Sequence, residues 1–416
     1  MRKSSRGVNP FYYKAIKIPE KYFCDRKTET EKIIGLIESG NNVVLKAPRR
    51  LGKSSLLQHI FNQKPFKSYY NTIYVDIYPT KSSDAFVLYL YKAIKDCRTI
   101  SDKSGLKEME RRLKEISFDA EFSIPNILKV SKSSKYEMLK LEESLDILFD
   151  FLSKTKRPNL VVIDEFQQIR NYKDNNIEAS LRTFIQKTPN TSFIFSGSSK
   201  HMLTQIFESP TQPFYKSSRS MALDIIPEDK YIEFCTEQFA SYGKQLNKEA
   251  GSLVYNVCCG NTFLMQQTMN CLFESTLKGD IAETQDAKAA IESLLEEKTD
   301  DYREFLHRLK PNYELVLLSI AKEGIASNFL SEAQRRKYNL PATTTISNIL
   351  EYFLDDRNRI IEEIAPNTYR LEDKFLELWI AKYIFGGLDS KYEYASEILE
   401  KETELRKQIV IKTQNT

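Results

Sequence analysis

Lys46 to Ser55 reads K-A-P-R-R-L-G-K-S-S, and Ala47, Gly52, Lys53 and Ser54 stand at the spacing of a phosphate-binding loop. In a G-x-x-x-x-G-K-[ST] loop the backbone N–H groups curl around phosphate oxygens, the lysine neutralises the outer ones and the hydroxyl reaches Mg²⁺. The helix behind the loop turns its positive N-terminal end to the same anion. The flanks have the required order: Asn42 to Leu45 is a short β-branched and apolar run, and Ser54 to Phe61 alternates like the start of a helix. Alanine at the first position fits where its φ is negative. Ala47, Pro48, Arg49, Arg50, Leu51, Gly52, Lys53, Ser54 and Ser55 are therefore the candidate nucleotide-binding residues.

A second signal lies further along, where Asn159 to Arg170 reads N-L-V-V-I-D-E-F-Q-Q-I-R. Leu160 to Ile163 has the continuous apolar character of a parallel strand buried on both faces. Asp164 then falls at the carboxyl end, where open α/β sheets place their ligands. A carboxylate there can hold Mg²⁺ together with Ser54, and Glu165 can orient and deprotonate an attacking water. An apolar run ending in Asp-Glu is a weak signal alone and a strong one behind a phosphate loop.

Length and composition set the bounds. A chain of 416 residues holds two to four domains, and its net charge of +4 is too small to argue nucleic-acid binding by itself. No stretch approaches the roughly 20 apolar residues of a membrane span, and Met1 to Pro10 lacks the apolar segment of a secretion signal. A cytoplasmic location is the expectation. Six cysteines without C-x-x-C spacing and three histidines offer no convincing zinc site, so reduced, mostly buried thiols are expected.

The rest of the pattern is doubly wound. An amphipathic helix, Thr28 to Glu38, precedes the loop strand, and Thr72 to Ile77 reads as the second strand with Asp84 to Asp96 as its helix. The segment from Arg98 to about Lys140, rich in Lys, Ser and Glu with an apolar island at Ile116 to Ile127, reads as a solvated insertion. Strands are expected again at Ser192 to Phe195 and Met221 to Ile225, and Ser196 to Ser199 puts small hydroxyls at a strand end where they can lie between Asp164 and a γ-phosphate. Alternating strands and helices of this kind make an α/β layer. Beyond Pro227 the pattern turns to helices only, interrupted at Gly260-Asn261. Pro311 to Ala321, Phe329 to Tyr338, Ala342 to Phe353 and a hairpin from Arg359 to Leu371 follow, the order of a winged helix. The expected organisation is 1–226 as the nucleotide domain with its insertion at about 98–140, 227–304 as a helical lid, 305–388 as the winged helix and 389–416 as a charged tail with no obvious core to join.

The loop A-P-R-R-L-G-K-S-S-L-L, the I-D-E-F-Q at 163 to 167, F-I-F-S-G-S-S-K at 193 to 200 and the order of domains together resemble the archaeal-type ATPase family, in the STAND branch of the AAA+ P-loop proteins. The resemblance runs from about Tyr22 to Phe385. It implies that Phe23, Asp25, Arg26 and Glu29 match a box that precedes the loop and helps frame the adenine. Ser198, or its neighbour Ser196, matches the sensor of the γ-phosphate. Arg219 lies where such ATPases often carry an arginine reaching a γ-phosphate in the same or a neighbouring subunit. The lid motif Gly260 to Gln267 has Thr262 where the family has proline, which puts an adenine contact from that residue in doubt.

The reading of the whole is an ATP-binding and ATP-hydrolysing switch, with hydrolysis slow or partner-stimulated. Lys53, Glu165, Ser198 and Arg219 are the candidate catalytic residues, Asp25 and Arg26 join the loop in binding nucleotide, and Ser54 and Asp164 are the Mg²⁺ ligands. The resemblance implies that the winged helix moves with the nucleotide state for a protein partner or self-association. The alternative is a DNA-associated ATPase. Against it, Ala342 to Asp356 contains no Lys or Arg and ends in two aspartates, although Arg335, Arg336, Lys337, Arg357 and Arg359 lie nearby.

Overall fold

The computed structural model describes residues 9–11, 18–64, 66–116, 134–173, 176–355 and 358–414, with backbone alone for 134–139 and 407–414. The chain divides into two compact units, Ala15–Asp224 and Ile225–Thr416, the second also taking in residues 9–11.

The first unit is built on five strands: β1 (Val43–Lys46), β2 (Asn71–Asp76), β3 (Asn159–Asp164), β4 (Thr191–Gly197) and β5 (Arg219–Ala222). They form one parallel sheet in the order β2-β3-β4-β1-β5. Every residue of β3 is buried, as its uninterrupted apolar sequence requires of a strand covered on both faces. The amino ends of the strands are stapled by amides. Asn42 Oδ1 accepts from Phe193 N at 2.8 Å, Asn71 Nδ2 donates to Asn159 Oδ1 at 2.9 Å, and Asn159 Nδ2 donates to Thr191 Oγ1 at 3.0 Å. These bonds fix the register at one edge and thereby the side chains at the other, since a slip of one residue would turn Asp164 to the opposite face. In that register Asp76 stands beside Asp164.

Two expectations need correction here. The last strand begins at Arg219 and ends at Ala222, not at Met221 and Ile225, because Arg219 N bonds Asn42 O at 2.8 Å and Leu223 N bonds Lys46 O at 2.8 Å. Within the expected insertion, Lys103–Ile116 is an α-helix whose Leu106, Met109 and Leu113 are buried in the main core. Their i, i+3, i+7 spacing is a helical stripe that the surrounding charge obscured. Most of the apolar island, 117–127, lies outside the described residues.

In the second unit, helices Glu228–Ser241, Lys248–Val257, Thr262–Ser275 and Thr284–Glu297 are accompanied by a short parallel pair, Gln245–Leu246 with Ile281–Ala282, that the all-helical reading missed. Two-residue strands leave no periodicity to read. Gly260 has φ +64°, and a Cβ there would lie 2.9 Å from Ile225 Cβ, so glycine is required by both conformation and space. Asn261 caps the next helix by accepting from Phe263 N and Leu264 N, each at 3.2 Å. Thr262 is then the first helical residue, the position proline also favours.

Helices Pro311–Glu323, Glu332–Tyr338 and Thr343–Leu354 precede an antiparallel hairpin, Ile361–Ala365 with Thr368–Leu371, to which Ala326–Ser327 adds a third strand. The tail does join a core. Helix Ala395–Gln414 packs on the hairpin and on Lys248–Val257, with Ala395, Leu399 and Glu402 buried. Arg370 donates to Glu402 at 2.5 Å and to Glu362 at 3.0 Å, and Arg406 donates to Glu362 at 2.8 Å and to Glu402 at 2.9 Å. The charges that made the tail look solvated are the ones that fasten it.

Candidate functional site

The loop after β1 has the backbone its sequence requires. Arg50 (φ 64°) and Gly52 (φ 79°) are left-handed around Leu51, the alternation that turns successive N–H groups to one side and makes an anion nest. Helix Lys53–Asn62 starts at once, with Gly52 as its N-cap, so its dipole adds to the same positive field. Ala47 is buried and lies outside the positive-φ residues, which satisfies the condition under which alanine replaces glycine. Arg26 braces the loop from below: it is 4% exposed, Nη2 donates to Leu51 O at 3.3 Å and Nη1 to Glu29 Oε1 at 2.7 Å. Asp25, itself at φ 51°, leads into it, and Phe23 stacks on His59 of the loop helix at 4.1 Å. The box before the loop and the loop itself are thus brought together. Arg49 reaches over the Tyr78 ring, 5.9 Å from its centroid.

Opposite the loop, the carboxyl end of β3 presents the acidic pair. Lys53 Nζ lies 3.0 Å from Asp164 Oδ1 and 2.8 Å from Glu165 Oε1. Ser54 Oγ donates to Asp164 Oδ2 at 2.9 Å, Tyr74 OH donates to the same oxygen, and Ser196 Oγ donates to Oδ1. Glu165 Oε2 accepts from Ser198 Oγ at 2.8 Å and from Gln167 Nε2 at 2.5 Å. Glu165 has φ 56°, a conformation that needs support in a residue with a Cβ. Phe166 supplies it. Its fully buried ring lies 4.6 Å from Phe195, 5.6 Å from Phe207 and 5.4 Å from Phe214, so the chain turns sharply there and sends Glu165 and Gln167 back toward the loop.

Burial by itself would raise both carboxyl pKa values, but the Lys53 ammonium, aided by Ser196 and Tyr74 at Asp164 and by Gln167 at Glu165, outweighs it and holds both below the ordinary carboxylate range. Asp76, at the end of β2, moves the other way: partial burial raises it, and the nearby Asp164 and Glu165 charges add to the rise. Two carboxylates and one ammonium leave the cluster net negative while the loop around it is positive.

The structure brings together the loop, Lys53, Ser54, Asp164, Glu165, Ser196 and Ser198, with Asp25 and Arg26 at the loop's underside. It does not bring Arg219. That residue pairs with Val43 at the amino end of β1 and is exposed, whereas the loop leaves β1 three residues later, about 10 Å along the strand. The expectation of a contribution within the same chain is therefore corrected: a residue that precedes or opens a parallel strand lies at the amino end of the sheet, away from the loop, whether the strand starts at Arg219 or at Met221. Tyr74, Asp76 and Gln167 were not singled out from sequence. The signal for Tyr74 and Asp76 was their place at the carboxyl end of a strand beside the acidic one, legible only once the strand order is known.

Three of the basic residues near the winged-helix recognition position lie beside acids, whereas Arg335 donates to Pro341 O at 3.2 Å and to Thr343 Oγ1 at 3.4 Å. Lys337 bonds Glu323 at 2.5 Å, Arg336 bonds Glu332 at 2.5 Å, and Arg359 lies 3.3 Å from Glu372. Asp356 and Arg357 lie outside the described residues. Among the described residues no helix is long and apolar enough to cross a membrane, and no group of three or more His, Cys, Asp or Glu side chains is arranged to hold a metal ion.

A parallel sheet with an anion nest after its first strand and an acidic pair after its third defines a P-loop ATPase, here followed by a winged helix. Sequence comparison agrees: the chain belongs to the family described as the ATPase domain predominantly from Archaea, whose model matches residues 23–268, and residues 300–382 match a probable winged helix domain. No curated protein shows significant sequence similarity to it. Among solved structures, a Walker-type ATPase of Pyrococcus abyssi aligns with TM-score 0.58 and 18% identity over 89% of this chain and 99% of that one. The ORC2 protein of Aeropyrum pernix, solved as ADPNP–ADP complexes, aligns with TM-score 0.54 and 13% identity over 96% of this chain and 99% of that one. At these identities the likeness is one of fold.

Proposed function

We propose that the protein is an ATP-hydrolysing switch in which nucleotide exchange at Lys53 frees the catalytic base. The carrying observation is the double engagement of the Lys53 ammonium by Asp164 and Glu165 at 3.0 and 2.8 Å. A triphosphate bound in the nest offers Lys53 a stronger anionic partner, so the ammonium leaves the carboxylates for the phosphate. Glu165 Oε1 is then free to take a proton from water attacking the γ-phosphorus. Ser198 and Ser196 hold the pair in place, one hydroxyl on each carboxylate, and Ser198 stands where it can answer to the γ-phosphate.

Mg²⁺ fits the residues present. Ser54 Oγ and Asp164 Oδ2 are hard oxygen donors 2.9 Å apart, the kind of partial set that Mg²⁺ completes with phosphate and water. When bound, the ion neutralises and orients the phosphates. Arg219, excluded from its own chain's site, would act only toward a neighbouring subunit.

The segments 227–304 and 305–388 are assigned as lid and winged helix that respond to the nucleotide held by 1–226. This STAND-like reading favours a protein partner, or a second copy of the chain, over DNA. The Thr343–Leu354 helix carries no Lys or Arg to neutralise phosphate, and Arg336, Lys337 and Arg359 each lie beside a glutamate that offsets their charge. Hydrogen exchange of Glu165→Gln loaded with ATP, compared with ADP, tests the switch. Protection in 227–388 should differ between the two states, and identical exchange patterns would overturn it.

A further inference from the structure

Gln167 is buried at 6% exposure, yet only half of its carboxamide is used. Nε2 donates to Glu165 Oε2 at 2.5 Å, while Oε1 is buried and accepts no hydrogen bond from the protein. Leaving such an acceptor unpaired costs roughly 1–3 kcal/mol, which a chain would avoid by placing an apolar residue there. The oxygen also has a fixed seat. It lies over Gly197, where a Cβ would fall only 2.0 Å from Oε1, and Gly197 O in turn accepts from Ala47 N, the first residue of the loop, at 3.3 Å. Thus one end of the amide holds the base, and the other is a buried, unpartnered acceptor seated against Gly197, whose carbonyl bonds the first residue of the phosphate loop.

We propose that Gln167 is a positioning residue for hydrolysis: its N–H end orients Glu165 and its Oε1 accepts a hydrogen bond from the attacking water. The proposal rests on Glu165 being the base. A water molecule has two O–H groups. With one directed to Glu165 and the other to Gln167 Oε1, a lone pair is left to face the γ-phosphorus. In the step itself the water oxygen bonds to phosphorus, the bond from phosphorus to the β–γ bridging oxygen breaks with its electron pair going to ADP, and the water proton passes to Glu165. Gln167 exchanges no proton. Its contribution is orientation, the term by which a small misplacement of a reacting group costs rate.

The test compares full-length Gln167→Met, which keeps the length and removes both polar ends, with Gly197→Ala, whose added methyl displaces the carboxamide without altering it. Both should bind ATP within about threefold of the parent and lose kcat on the order of tenfold to a hundredfold. The acidic limb of the kcat/KM profile should move to higher pH in Gln167→Met, because the carboxylate of Glu165 loses a donor that favours its charged form. A merely structural glutamine would lower the melting temperature without moving that limb. Should Gln167→Met fail to fold, Gly197→Ala decides. Parental kcat and pH limb in the folded variants overturn the inference. Parental turnover in Glu165→Gln would instead overturn the assignment of the base on which it rests.

Discussion

The Lys53–Asp164–Glu165 cluster and the Glu362–Arg370–Glu402–Arg406 cluster are both largely buried and both ionic, yet they are compensated differently. In the second, two guanidinium groups face two carboxylates, each arginine bonded to both acids. The charges cancel. In the first, a single ammonium is shared by two carboxylates, and the deficit is made up by Ser54, Tyr74, Ser196, Ser198 and Gln167. A closed network serves the fold, here by fastening helix Ala395–Gln414 to the wing, whereas an open one is poised to exchange partners. Buried ion pairs are weak evidence of net stability, so the difference lies in what each cluster can do when a ligand arrives.

The largest effect should come from removing the shared cation. Lys53→Ala leaves two carboxylates facing the nest and takes away the phosphate's counter-charge, so ATP affinity should fall by about a hundredfold or more in a calorimetric titration. In the closed network Arg370→Ala leaves both acids to share Arg406, and unfolding free energy should drop by roughly 3 kcal/mol in denaturant titration. ATP binding to the loop should be retained, which separates the two clusters experimentally.

A smaller effect separates them by pH. Burial alone would raise the Glu362 carboxyl, but Arg406 and Arg370 overcome it and hold it at about 2. Its pKa is thus depressed on folding. The stability it contributes is fully present above its unfolded pKa of about 4.3 and is lost as pH falls from there toward 2. Glu362→Gln should flatten the stability profile in that window while leaving it unchanged in shape above pH 5. An unaltered acid limb would mean that the network is not closed as described.

The charged members of the open cluster, Lys53, Asp164 and Glu165, were legible in the sequence because they sit inside two contiguous motifs, K-A-P-R-R-L-G-K-S-S and I-D-E-F-Q, and each motif carries its own strand signal. The closed cluster was not, because Glu362, Arg370, Glu402 and Arg406 meet only after a hairpin and a tail helix pack, and a charged tail reads as solvated until its partners are known. The same reason hid Tyr74 and Asp76, whose relevance depends on β2 lying beside β3. Arg219 failed for a different cause. Its link to the site came from the resemblance alone, while its place at the opening of a parallel strand puts it at the amino end of the sheet, opposite the loop.

Exchange at Lys53 has value only if Glu165 is the base that it releases. Single-turnover hydrolysis by Glu165→Gln, with ATP affinity measured on the same sample, tests this directly. The exchange mechanism predicts affinity within about threefold of the parent and hydrolysis slowed by about a hundredfold or more. Hydrolysis at the parental rate would contradict it.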